Sequence, residues 1–391
     1  MCLGDLNSLK KIYDISCADN ISFLRFFPEY QDFGLYGNLP NCLQKDQLFA
    51  LNSTFNWDDP VSYGIRNNKE LYVATLCNAF IAPSCLGTVF DTKQQLLFDI
   101  FVSPGYPIFW PLTNDVNSMS IVKYKKLATV QGPTYFYHWV MDRLPSVFLL
   151  SEYMAQDSDI VFLINNQEGR VAGYVGEYLD LLGIPEDRRI VAQKNVLYSA
   201  DTVYFATPFL MEPIPKNLLL ALRNKLLIAA ELKECSREYS DNLIVVLQRR
   251  ESNRKIVNIN ELLTAIGEEF SPEKFEIVLF DGGMSVSEQI LLFNRAQVVI
   301  GAMASGLTNV MYCKPGTSVI EIHPELSYLV DCNGVNNWGG EWCWWLSSVA
   351  DLDYWFVLSP FQLTDPSLMC PMNEIKQTLK KVALKHVLRN T

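Results

Sequence analysis

The C-terminal part of the chain alternates short apolar runs with amphipathic segments at a regular spacing. The apolar runs lack polar alternation, which is typical of strands buried on both faces. The segments between them repeat apolar residues every three or four positions and predict helices, and one opens with Ser285 and Glu288 at the spacing of a capping box. This alternation predicts a parallel, doubly wound α/β sheet. The predicted strands are LIVVLQ (243–248), EIVLF (276–280), QVVIG (297–301) and TSVIEI (317–322), and the predicted helices are residues 258–270, 285–296 and 305–313.

Upstream of residue 235 the pattern is less regular. Residues 1–65 show little periodicity and are expected to be irregular, whereas β-rich runs between 71 and 111 predict strands. Residues 134–154 predict a helix that Pro145 kinks or restarts. A long amphipathic helix over 215–234, followed by a polar stretch, marks the candidate domain boundary. The expected organisation is an acceptor-side α/β domain over 1–235, a nucleotide-sugar-binding Rossmann-like domain over 236–365 and a closing helix over 366–391.

The amino-acid composition excludes several classes of protein for this chain. The 391 residues are 49% hydrophobic and 12% aromatic, which suits two packed domains. The formal net charge of −11, without a clustered basic run, argues against nucleic acid as a partner. No apolar stretch reaches the roughly 18–20 residues that cross a bilayer, and no signal-peptide layout is present. Ten cysteines without CxxC pairs are expected to be mostly free thiols. We therefore expect a protein without an integral membrane segment in a bacterial or virus-infected host cytoplasm, with a lumenal fragment of a Golgi or ER enzyme as the alternative.

The predicted sheet places candidate ligand-binding residues at its carboxyl edge, where doubly wound sheets bind their ligands. Arg249, Arg250 and Arg254 follow the first strand, and guanidinium groups bind phosphates in a bidentate manner. The third strand leads into a small-residue turn over 301–309, whose backbone N–H groups and helix start suit an anion. Glu321, near the end of the fourth strand, is expected to accept hydrogen bonds from ribose hydroxyls. Each feature also has a structural explanation (ion pairs, tight packing, a solvated carboxylate), and only their combination in one sheet favours nucleotide binding.

Two segments, VVLQRRESNRKIVNINEL and SVSEQILLFNRAQVVIGAMASGLTNVMYCKPGTSVIEI, resemble the C-terminal half of glycosyltransferase family 61. YFYHWVMDRLP (135–145) resembles the His-Trp-x-x-Asp-x-x-Pro block of that family, and the resemblance covers about residues 120–325. It departs at Met303, where the family has a histidine. The positions that match the family pattern are Arg249, Arg254, Asn258, Glu288, Gln289, Gly301, Gly306, Leu307, Thr308, Asn309, Pro315, Gly316 and Glu321.

The resemblance implies a GT-B-type architecture of two Rossmann-like domains facing a cleft. It also implies an inverting single displacement from a UDP-sugar, with xylose or N-acetylglucosamine favoured, to a glycan or glycoprotein hydroxyl. Neither a metal nor another cofactor is expected, because arginines and a helix N-terminus stabilise the leaving group. Met303 motivates the alternative of a weak or inactive nucleotide-sugar-binding pseudo-enzyme. The implied donor-binding residues are Arg249, Arg250, Arg254, Asn258, Gly301, Met303, Ser305, Gly306, Leu307, Thr308, Asn309 and Glu321.

His138 and Asp142 are four residues apart and therefore share one helix face. One is expected to be the general base that deprotonates the acceptor hydroxyl while the other orients it, and the sequence leaves open which is which. The structural alternative is a satisfied polar pair. Arg143 is expected to contact the acceptor or the donor phosphates. The triplets Asp157-Ser158-Asp159 and Asp351-Leu352-Asp353 match a metal–nucleotide signature that is too short to indicate a metal site, and the Trp-dense segment 336–356 favours packing.

Overall fold

The computed structural model describes only part of the chain. Within the β-rich region predicted between 71 and 111, residues 83–87 and 91–111 lie outside the described part. The described residues divide into two compact units, with Leu226 the last residue of the first and Leu227 the first of the second. This division falls inside a helix, and the predicted domain limits at 235 and 365 stay predictions. The described segments are 21–26, 71–82, 88–90, 120–130, 132, 134–165, 171–193, 196–206, 209, 214–233, 242–250, 254–324, 342–359 and 367–389.

The first unit contains one mixed sheet. Its strands are β1 (Ile21–Phe26), β2 (Tyr72–Ala82), β3 (Thr88–Phe90), β4 (Ser120–Thr129), β5 (Val161–Ile164), β6 (Arg189–Val191) and β7 (Val196–Ala206). Their order is β1-β2-β7-β4-β5-β6, and β3 also pairs with β2. Strands β7, β4, β5 and β6 are parallel neighbours, whereas β2 runs antiparallel to β1, β3 and β7. The expectation of irregular structure is therefore wrong for β1, whose order depends on pairing with distant residues of β2.

The helix that carries the His138/Asp142 pair changes type along its length. It begins as an α-helix over Phe136–His138, continues as a π-helix over Trp139–Arg143 and becomes α1 over Leu144–Gln156. Pro145 lies in the first turn of α1, where the helix changes type without a break, and whether it kinks the helix stays a prediction. Proline has no N–H and its ring crowds the carbonyl four residues back, so a wider π turn relieves that contact. Further helices are α2 (Gly173–Leu181), the 3-10 turn Glu186–Arg188 and α3 (Lys216–Lys233), and the division between the two units falls within α3.

The second unit is the parallel sheet that the apolar pattern predicts. Its strands are β8 (Leu243–Leu247), β9 (Glu276–Phe280), β10 (Ala296–Ala302), β11 (Ser318–Pro324) and β12 (Asp353–Ser359), in the order β12-β11-β10-β8-β9. All neighbouring pairs are parallel. The first strand, β8, lies between the second and the third, so the winding direction reverses between β8 and β10. Loops diverge at such a switch point and leave room for a ligand beyond the carboxyl ends of the two strands.

Helices cover both faces of this sheet. Its helices are α4 (Ile259–Glu269), α5 (Val286–Arg295), the 3-10 helix Ser305–Tyr312, α6 (Trp342–Val349) and α7 (Met372–Arg389). Apolar residues of α4 and α7 pack with alternate residues of β8, β10 and β11 in one core on the first face. The second face carries α5, the 3-10 helix and α6, for example through the edge contact of Phe280 with Phe293.

Two features that the sequence predicts for this unit are present in the structure. Ser285 Oγ accepts from the Glu288 N–H at 3.2 Å and the Ser285 N–H donates to Glu288 Oε2 at 2.9 Å, so the capping box is confirmed. Trp342 and Trp344 of α6 are buried, in agreement with the packing interpretation of the Trp-dense segment.

Within the described segments, no helix combines the length and apolarity needed to cross a bilayer.

Candidate functional site

Two loops follow adjacent strands at the switch point of the second unit. Leu247 of β8 lies in register with Gly301 of β10, so the residues after these strands start from the same edge of the sheet. Arg249 and Arg250 follow β8, and Met303 follows β10. The arginines and the small-residue turn are therefore brought to one edge, as the sequence predicts.

Arg254 connects the two loops directly. Its Nη1 donates to the Met303 carbonyl at 3.1 Å, and the Met303 N–H donates to the Ile322 carbonyl at 3.0 Å. Arg254 adopts a left-handed backbone conformation, with φ at 57°. Such a conformation is uncommon for a residue with a Cβ and costs roughly 1 kcal/mol or more. A half-buried guanidinium is thus held in place at the switch point at an energetic cost in the backbone.

The other two arginines have different environments. Arg250 is exposed, and its Nε donates to Asp281 Oδ2 at 2.8 Å at the end of β9. Arg249 is half-buried. Arg254 is thus an arginine with a described hydrogen bond to the glycine turn, through the Met303 carbonyl.

The glycines of the turn are required by packing. A Cβ on Gly301 would lie 2.9 Å from Leu247 Cβ, closer than real Cβ contacts come, and one on Gly306 would lie 3.2 Å from Leu247 Cδ2. Neither glycine has a positive φ. Gly301 lets β8 and β10 approach, and Gly306 seats the 3-10 helix over Leu247. The packing explanation of these two positions is thus supported, whatever the turn binds.

Several predicted donor-binding side chains point into the protein. Leu307, Thr308 and Asn309 are fully buried. Thr308 Oγ1 donates to the Ser305 carbonyl at 2.7 Å, and Asn309 Nδ2 donates to Gln289 Oε1 at 3.0 Å, which joins the 3-10 helix to α5. Direct donor contacts by these side chains stay predictions, while Ser305 at the helix start is half-buried.

The side-chain amide of Asn258 also connects two segments of the protein. Its Nδ2 donates to the Cys370 carbonyl at 3.0 Å, and its Oδ1 accepts from the Cys370 N–H at 2.9 Å. Both ends of the amide are therefore used to tie the start of α4 to the segment before α7. Its predicted donor contact is untested.

Glu321 lies in the middle of β11 rather than near its end, and its side chain is fully buried. The Tyr354 hydroxyl donates to Oε2 at 2.5 Å, whereas Oε1 accepts no hydrogen bond from the described residues. Burial raises the pKa of the Glu321 carboxyl to about 7, although contacts with Tyr354, Cys343 and Arg254 act in the opposite direction. The residue is thus poised between its charged and neutral forms at neutral pH.

His323 is a candidate residue that sequence reasoning missed. It lies near the carboxyl end of β11, two residues after Glu321 and on the same strand face, with 1% of its surface exposed. Its Nδ1 is 2.8 Å from the Pro324 carbonyl oxygen, and its Nε2 has no partner among the described residues. Burial, together with the charge of Arg254, lowers the pKa of the His323 imidazole to about 4, although the contact with the Pro324 carbonyl acts in the opposite direction. The predicted strand stopped at Ile322, which hid the two-residue spacing from Glu321.

In the first unit, His138 and Asp142 meet as predicted. His138 Nδ1 lies 2.6 Å from Asp142 Oδ2, and the side chains are 14% and 1% exposed. Asp142 lies in the π-helical turn and is buried, whereas the imidazole retains a path to solvent. The arrangement is that of a buried carboxylate that orients an imidazole.

Arg143 is buried in the interior of the same unit. Its Nη1 donates to the Asn165 carbonyl at 3.1 Å, and its guanidinium carbon lies 5.9 Å from the Trp139 ring centre. Burial lowers the pKa of Arg143 to about 9 against the opposing effects of Asp142 and Tyr174. A contact with substrate stays a prediction for this residue.

The aspartates of the two Asp-x-Asp triplets make protein contacts. Asp157 pairs with Lys126 at 2.5 Å and Asp159 with Lys125 at 3.0 Å. Asp353 pairs with Lys385 at 2.7 Å and also accepts from Ser318 and Trp355. Among the described side chains, no group of three or more His, Cys, Asp or Glu has a metal-binding arrangement.

Comparison with known proteins gives a family match for the middle of the chain. The model of the family described as Glycosyltransferase 61 matches residues 136–320, from the helix of His138 to β11. No curated protein matches the chain. A crystal structure of the flavodiiron protein from Giardia intestinalis aligns with 12% identity over 63% of this chain and 54% of that one. The chain thus spans about half the length of that protein, and the TM-score of 0.24 is too low to indicate a shared fold. The match over residues 136–320 supports membership of glycosyltransferase family 61 and, with it, glycosyl transfer as the general function.

Proposed function

We propose that the protein transfers a sugar from a UDP-sugar, with xylose or N-acetylglucosamine favoured, to a hydroxyl of a glycan or glycoprotein. The single observation that supports this most strongly is the hydrogen-bonded His138–Asp142 pair inside the family-matched segment. An inverting transfer needs one base and one stabilised leaving group. The GT-B arrangement that the resemblance implies is part of this proposal.

His138 is the proposed base and Asp142 its positioning residue. A carboxylate oxygen accepts, so Nδ1–H of the imidazole donates to Asp142, and Nε2 then carries the basic lone pair. The acceptor hydroxyl attacks the anomeric carbon and gives its proton to Nε2. The bond between that carbon and the diphosphate oxygen breaks, and the nucleoside diphosphate leaves with the electron pair.

The second unit is proposed to hold the donor. Arg254 at the switch point would neutralise the developing charge on the diphosphate, assisted by Arg249 and by N–H groups at the start of the 3-10 helix. These groups supply positive charge without a divalent ion, so we expect transfer to persist in EDTA.

Binding and transfer can be tested separately. Thermal stabilisation by a panel of UDP-, GDP- and TDP-sugars, with and without EDTA, identifies the donor, because a ligand that binds only the folded state raises its stability. Transfer assays then compare wild type with His138→Gln and Asp142→Asn. We expect losses of about 10²–10⁴-fold for His138→Gln with unchanged donor affinity. No stabilisation by any nucleotide, together with no transfer, would contradict the proposal.

A binding protein without catalysis is the second candidate, and Met303 favours it. A thioether sulfur is a weak acceptor and cannot donate, so it cannot replace a histidine that bonds to phosphate. An inert wild type that binds UDP-sugar as tightly as its Asp142→Asn variant would support this candidate over the enzyme.

A further inference from the structure

Two sets of hydrogen bonds hold the stretch of chain that enters α4, and the first comes from the end of β8. The side-chain amide of Gln248 bonds to both backbone groups of Ile256, since Nε2 donates to the carbonyl at 2.9 Å and Oε1 accepts from the N–H at 3.1 Å. The Gln248 N–H itself donates to the Phe280 carbonyl of β9 at 2.9 Å. Gln248 therefore ties the backbone of Ile256 to the edge of the sheet.

The second set joins the same stretch to the chain before α7. The Leu368 N–H donates to the Lys255 carbonyl at 2.8 Å, and the Leu368 carbonyl accepts from the Val257 N–H at 3.0 Å. The Asn258 amide bonds to both backbone groups of Cys370. We call the two sets together the clamp. Consecutive residues are thus held from the β8 side and from the C-terminal side at once.

Arg254 lies immediately before the clamp, at a strained point of the backbone. Its φ of 57° is uncommon for a residue with a Cβ, and such a conformation persists only where the surrounding structure fixes it. Its half-buried guanidinium bonds to the Met303 carbonyl at 3.1 Å. A long side chain that is already held in place loses less conformational freedom when it binds an anion. The clamp is therefore placed to fix the guanidinium at the switch point before a ligand binds.

We propose, building on the proposed function, that Gln248 is a positioning residue for the donor diphosphate. Through Ile256 it holds Arg254 where the guanidinium meets the phosphates, and both ends of its own amide are engaged with protein. Diphosphate affinity should accordingly depend on Gln248 only while Arg254 is present. A role of Gln248 in fold stability alone would show no such dependence.

The test is a double-mutant cycle on the full chain with UDP as the probe. Calorimetry compares wild type, Gln248→Met, Arg254→Ala and the double variant, since Met has about the length of Gln and forms neither bond to Ile256. We expect Gln248→Met to bind UDP about tenfold more weakly than wild type, and the double variant to bind it as Arg254→Ala does. Asn294→Ala is the matched control, because that amide also donates to a backbone carbonyl of the second unit, that of Tyr312, and UDP affinity should be unchanged.

Equal UDP affinities of wild type and Gln248→Met would overturn the inference and leave the proposed function standing. Losses that add in the double variant would overturn it too, since Gln248 would then act independently of Arg254. A wild type that does not bind UDP would contradict the proposed donor and the inference together. Should Gln248→Met fold poorly, hydrogen exchange of the wild type decides, because coupling between clamp and ligand is reciprocal. UDP should slow exchange at the Ile256 and Val257 N–H groups more than at Val299 of β10, and equal slowing would contradict the inference.

Discussion

Replacing Glu321 by Gln should change how the stability of the second unit depends on pH. The folded carboxyl has a pKa of about 7, above the ordinary value of 4.5, because it is buried. Between these values the unfolded chain has lost the proton and the folded chain keeps it, so stability falls as the pH rises. At about 1.4 kcal/mol per pKa unit, the loss amounts to roughly 3 kcal/mol above pH 7. A neutral Gln at 321 does not titrate, so the variant should not show this decrease in stability.

His323 contributes the opposite slope. Its folded pKa is about 4, below the ordinary 6.5, so between these values the unfolded chain binds a proton that the folded chain does not. Stability therefore rises by roughly 3 kcal/mol as the pH increases through that window. The two slopes overlap and largely cancel in the wild type between about pH 4.5 and 6.5. In the Glu321→Gln variant, the free energy of unfolding should therefore rise with pH in this range. In the His323→Phe variant, it should fall.

Urea unfolding at several pH values between about 4 and 8 measures both slopes. The tryptophans of α6 and β12 provide a fluorescence signal from the second unit. Glu273→Gln, at an exposed position of the same unit, is the control and should leave the wild-type profile unchanged. Profiles of Glu321→Gln and wild type that run parallel would refute the reasoning, since they would mean that Glu321 titrates alike in the folded and unfolded chains.

Further predictions concern the scaffold of the site. Gly301→Ala should destabilise the protein by about 1–3 kcal/mol, because its Cβ would meet Leu247 Cβ at 2.9 Å. Gly267→Ala, inside α4 with no atom within 4 Å, should stabilise it by about 0.5–1 kcal/mol, and equal urea midpoints for the two variants would contradict the packing argument. Asn258→Ala should cost about 1–3 kcal/mol and speed hydrogen exchange at the Cys370 N–H, and unchanged exchange there would show that the clamp is not formed.

Most strands and helices of the second unit could be predicted, because the sequence patterns that indicate them lie within each element. The strands β8 to β11 are apolar runs, and the capping box at Ser285 marks the start of α5 without reference to the rest of the fold. β12 was missed, since its Trp- and Tyr-rich sequence follows a dense aromatic stretch without clear periodicity. β1 was missed because its pairing with β2 depends on residues about 50 positions away.

The sequence predicts which strand ends carry the candidate residues. It does not predict the contacts that their individual atoms make. Arg249, Arg254 and the glycine turn lie at the edge that strand order dictates. The environments of Glu321 Oε1 and His323 Nε2, which have no hydrogen-bond partner among the described residues, could not be inferred, because burial and the direction of the Tyr354 hydroxyl depend on the packed structure. The same is true of Arg250, whose partner Asp281 lies at the end of another strand.

The replacement of the family histidine by Met303 is easier to understand from the backbone. The N–H and carbonyl of Met303 bond to Ile322 and Arg254, and any residue type supplies these two groups. These two hydrogen bonds therefore do not depend on the residue type at 303, whereas a side chain at 301 would meet Leu247. What changes is the chemistry offered to a ligand. In the proposed donor site, a hydrogen-bond donor is missing at 303, while Arg254 is present. If the second unit binds the donor as proposed, we expect binding to depend more on Arg254 than on the side chain at 303.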